Sequence, residues 1–148
     1  MATIRDNILN ALVARLATIP GWTAQLRGLT NGAPNATVLA VVCFLTEDKS
    51  LATNDQYQAS MQVLVWIRGN PENADATLDG GNAFRYLDRL VALAEQQVHD
   101  PDEWGIEPAF TEVQINGHDV LDPANDHQVQ AELRLTFTYR HHYQDPGA

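Results

Sequence analysis

Gln56-Tyr57-Gln58-Ala59-Ser60-Met61-Gln62-Val63-Leu64-Val65-Trp66-Ile67-Arg68 is the stretch whose reading decides the fold. Successive side chains of an extended chain point to opposite faces, so Tyr57, Ala59, Met61, Val63, Val65 and Ile67 share one side. Gln56, Gln58, Ser60 and Gln62 share the other. The alternation predicts a long strand with one face in a core. Leu64 and Trp66 interrupt the polar side, so that end of the outer face is either covered by another part of the fold or meets a partner. Gly69-Asn70-Pro71 closes the strand.

Upstream, Thr37 to Leu45 is a continuous valine-rich apolar run, the pattern of a strand covered on both faces. Thr46 to Asn54 reads as a polar loop joining it to the deciding strand. Asn31-Gly32-Ala33-Pro34 is a turn signal, and Trp22 to Arg27 alternates weakly. The chain opens with Ile4, Ile8, Leu12, Leu16 and Ile19 at three- and four-residue spacing, a helix with Thr3 as cap and Asp6 at its positive end. Pro20-Gly21 stops it. Its polar face, with Arg5, Asp6, Asn10 and Arg15, is solvated or touches a neighbour.

Downstream, Asn73 to Gly81 is ambiguous between a loop and a frayed helical start. From Asn82 a second helix is predicted, with Phe84, Leu87, Leu90, Val91, Ala94 and Val98 on its apolar face. Its opposite face carries Arg85, Asp88, Arg89, Glu95 and Gln96, and His99-Asp100-Pro101 ends it. The last third reads as a hairpin. Phe110, Val113 and Ile115 belong to a first strand, Asn116-Gly117 makes a bend, and Asp119 to His127 is a polar loop. Val129 to Arg140 is a long strand with one apolar and one polar face. The order predicts an α+β fold, a mainly antiparallel or mixed sheet with two helices on one face. Residues 1–148 form a single domain, with 141–148 as an exposed C-terminal tail.

Composition narrows the function classes. A formal net charge of −10 and a pI near 4.6 argue against a nucleic-acid-binding surface and against docking on anionic lipid. No apolar stretch approaches the roughly 20 residues of a membrane span, and the N-terminus lacks a signal-peptide layout, so a cytoplasmic protein is expected. The single Cys43 lies inside the apolar run, where an inert buried thiol is the ordinary case.

Catalytic and metal chemistry have no positive signal. Gly80-Gly81 precedes a helix but lacks the spacing and the lysine of a phosphate loop. His118, Asp119, Asp122, Asp126 and His127 cluster in one stretch, yet acidic residues beside Pro123 and Asn125 are ordinary turn formers. His141 and His142 are adjacent and point apart on a strand, a poor ligand pair. Ser50 and Ser60 sit in no nucleophile elbow. No metal, no cofactor and no catalytic residue is therefore expected.

Taken in order, the segments resemble one family. A helix ends in a tryptophan-bearing turn (Ile4-Arg5-Asp6-Asn7-Ile8-Leu9 to Ile19-Pro20-Gly21-Trp22) and an acidic loop, Glu47-Asp48-Lys49-Ser50, precedes the strand from Tyr57 to Arg68. A second helix, Phe84 to Val98, leads to the strand Val129 to Tyr139, and the chain stops soon after Tyr143-Gln144-Asp145-Pro146. This layout resembles the tail terminator (minor tail protein U-like) proteins of long-tailed bacteriophages over nearly the whole chain. The match is one of layout, without an invariant motif.

The resemblance implies a non-catalytic assembly protein. Subunits of this kind form a ring, usually of six, that caps the tail tube, halts its polymerisation and presents the surface to which the filled head docks. Its partners would be further copies of the chain, the tail tube protein and the head–tail connector or head completion protein, with genome DNA passing through the bore unbound. It would be assembled in the host cytoplasm and reside in the tail or neck of the virion. Glu47 and Asp48 are then expected at the bore or tube-facing rim, and Leu64, Trp66, Arg140, His141, His142 and Tyr143 at subunit contacts. Two rival readings stand beside this one. The first is another phage neck or tail component: a connector, a completion protein or a tube subunit. The second is a small cytosolic binding domain with a pocket lined by Trp22, Trp66 and Trp104.

Overall fold

The alternating stretch lies at the centre of the sheet. The computed structural model describes residues 3–28, 38–53, 55–99, 110–121 and 129–142, which form α1 (Ile4–Ala17), β1 (Trp22–Leu26), β2 (Val38–Leu51), β3 (Gln56–Gly69), α2 (Ala83–His99), β4 (Phe110–Leu121) and β5 (Val129–His142). The strands make one five-stranded sheet in the order β1-β2-β3-β5-β4. β3 is paired along its whole length on both sides. β2 runs antiparallel to it from Val38↔Gly69 to Leu51↔Tyr57, and β5 from Gln56↔His142 to Gly69↔Val129. β1 joins parallel to β2, which makes the sheet mixed.

Both helices cover one face. Ala59, Met61, Val63, Val65 and Ile67 of β3 and Ala131, Leu133, Leu135 and Phe137 of β5 are buried there against Ile8, Leu12 and Leu16 of α1 and Leu87, Leu90 and Val91 of α2. The intervening residues of β3 and β5 are half-exposed or exposed, whereas His141, discussed below, shares the helix-covered face with Tyr139 and is buried. The fold is therefore α+β, as the pattern predicted. α2 comes so close to β3 that a Cβ on Gly69 would lie 2.8 Å from Leu90 Cδ1 and 3.0 Å from Tyr86 Cε1.

Thr3 caps α1 as expected. Its hydroxyl accepts from the Asp6 amide while the Asp6 carboxylate accepts from the Thr3 amide, a reciprocal box at the N-terminus. Arg15 departs from its expected place on a polar face. It is buried, and its Nε donates to the Gln97 carbonyl at 2.9 Å, tying α1 to α2 near the latter's C-terminus, where helix carbonyls lack intrahelical partners.

Four further boundaries differ from the sequence expectation. Thr46 to Leu51 is not a loop but the second half of β2, because pairing with β3 outweighs the weak strand preference of Glu-Asp-Lys-Ser. Asn116-Gly117 is not a bend: β4 runs through it to Leu121, and the irregularity is a bulge between Ile115 and Gly117, with Gly117 at a φ of 115°. In α2, Phe84 is 61% exposed and Tyr86 takes the inward position. The exposed tail does not begin at 141, since β5 continues to His142 and His141 is buried. Residues 122–128 and 143–148, with the expectations placed on them, lie outside the described residues.

The ambiguous stretch before α2 is organised by Asp79. Its carboxylate accepts from Arg89 Nε at 2.9 Å and Nη2 at 2.8 Å, and also from the Asp75 amide at 2.9 Å. The Arg89 fork holds the Asp79 carboxyl below its ordinary value, against the opposing effect of burial. Asn82 then caps α2, its Oδ1 accepting from the amides of Phe84 and Arg85.

Candidate interaction surface

Two regions of the sheet are left uncovered by the helices among the described residues. The first is the outer face. Register places Val41 opposite Trp66 and Trp66 opposite Glu132, with Cys43, Leu64 and Arg134 in the next row. Trp66 is half-buried, and two groups hold it. Its indole N–H donates to Glu132 Oε2 at 3.2 Å, and the Arg27 guanidinium sits 5.1 Å from its ring centroid. Leu64 is also half-buried and borders a surface recess of about 240 Å³, shared with Leu45, Gln62, Asn116, Arg134 and Thr136. Cys43 is buried in the same area, and that burial pushes its thiol up, partly offset by Arg27.

The tryptophans are therefore separated. Trp22 pairs in register with Val38 on the helix-covered face and is buried there, whereas Trp66 lies on the outer face. They line no common pocket, and Trp104 lies outside the described residues.

The second region is the far half of the β2–β3 hairpin. β1 pairs with β2 only from Val38 to Val42, so from Cys43 to Leu51 β2 has β3 on one side and no described strand on the other. Phe44, Leu45 and Leu51 stand 43%, 54% and 64% exposed along this half-strand. The Arg5 guanidinium lies 5.0 Å from the Phe44 ring centroid.

Glu47 and Asp48 fall within this half-strand but do not act together. Register puts Glu47 opposite Met61 on the helix-side face and Asp48 opposite Ser60 on the outer face. Glu47 is largely enclosed: the Tyr139 hydroxyl donates to its carboxylate, and Lys49 Nζ lies 3.3 Å from Oε1. Asp48 is exposed. A recess of about 150 Å³ beside Glu47 is bordered by Thr3, Arg5, Lys49, Tyr139 and His141. His141 packs near Tyr57 and Tyr139, at ring-centroid distances of 5.7 and 6.2 Å. Of the other expected contact residues, Arg140 is exposed, His142 is placed only by its backbone in β5, and Tyr143 is outside the described residues.

At the opposite edge of the sheet, β4 is paired only with β5 among the described residues. His118 of β4 sits 3.9 Å from Asp88 and 3.8 Å from Glu95 of α2, and Arg134 pairs with Asp119. No group of three or more His, Cys, Asp or Glu among the described residues is placed to hold a metal ion. No described helix is long and apolar enough to cross a membrane.

No protein-family model matches the chain, and no curated protein matches it. Among solved structures it is similar to a chain of a virion of a native gene transfer agent particle. The likeness has a TM-score of 0.37 and 11% identity, covering 94% of this chain and 92% of the other. Likeness at that level carries no argument about function.

Proposed function

We propose that the protein is a non-catalytic structural subunit that assembles with copies of itself into a ring capping a phage tail tube. The observation that carries the reading is the sheet with an unpaired edge at each side: the far half of β2 on one and β4 on the other, among the described residues. An edge strand presents a row of unsatisfied N–H and C=O groups, and a closed ring satisfies such edges without leaving an open end. The order of segments, similar to the tail terminators, supplies the specific role. In this reading the ring stops tube growth and offers the filled head a docking surface, with the tail tube protein on one side and the head–tail connector on the other. The work is done by shape and charge complementarity.

Charge fits the same role. Six chains of net charge −10 would carry roughly −60, and an acidic bore repels DNA as it passes. Asp48, exposed on the outer face, is the better rim residue of the expected pair, because Glu47 is engaged by Tyr139 and Lys49.

The test is native mass by light scattering over a range of concentrations, followed by mixing with tail tube protein and electron microscopy. A closed ring that caps tubes and arrests their length supports the reading. Long tubes grown from this chain alone would instead identify a tube subunit.

A further inference from the structure

We draw no further inference here: the strongest candidate, the patch on the outer face of the sheet around Leu64 and Trp66 with the recess of about 240 Å³ beside it, carries nothing, because nothing among the described residues shows what covers it.

Discussion

Cys43 shows how a single residue can be reactive in principle and silent in place. Burial on the outer face raises its thiol, and the nucleophile is the thiolate. Labelling of the folded protein by a disulfide reagent at pH 8 should therefore be slow, and should become rapid in denaturant. Equal rates in the two states would contradict the packing around Val41, Leu64 and Trp66. Gly69 makes the opposite point, since its value is the space it leaves. An alanine there would press on Leu90 and Tyr86, and Gly69→Ala should cost about 1–3 kcal/mol in urea unfolding. Phe137, fully buried between the sheet and the helices, sets the upper scale: Phe137→Ala should cost about 3–5 kcal/mol.

At the scale of elements, α2 is positioned by a charge that sequence pattern did not reveal. Asp79 sits in a stretch without periodicity, and only the fold brings Arg89, nearly two helical turns inside α2, back to it. Its carboxyl is held low in the folded state, so its contribution is present above the unfolded value near 3.8 and is lost as pH falls through the lowered one. Asp79→Asn should thus lower the melting temperature at neutral pH, and the gap from wild type should close in strong acid. What was legible in advance follows the same logic. β3, β5, α1 and α2 announce themselves because each buries one periodic face, and that periodicity is local. The second half of β2 does not, since Thr-Glu-Asp-Lys-Ser becomes a strand only through β3 beside it. Gly117 looked like a turn because a bulge and a bend both call for a residue at positive φ. The candidate contacts divide likewise. Leu64 and Trp66 were visible as breaks in a polar face, but Glu47 looked free because Tyr139, which engages it, is 92 residues away.

At the scale of the molecule, net charge opposes whatever association the edges favour. Each copy carries −10, so bringing copies together is resisted by repulsion that salt screens. Raising salt from about 0.05 to 0.5 M should shift the mass distribution toward the assembled form. A shift the other way would mean that ion pairs, rather than strand edges, hold the contact. Within one copy the pairing of β3 along both sides has a consequence of another kind, one of timing. Its amides cannot open by fraying, because β2 and β5 would both have to leave, and β5 returns to β3 only after α2 and β4 have intervened in the chain. Amide hydrogens of Ala59 to Ile67 should therefore exchange with solvent only when the whole domain unfolds, whereas those of the five-residue parallel β1 should exchange through local opening. The strand that decides the fold would then also be the molecule's slowest clock.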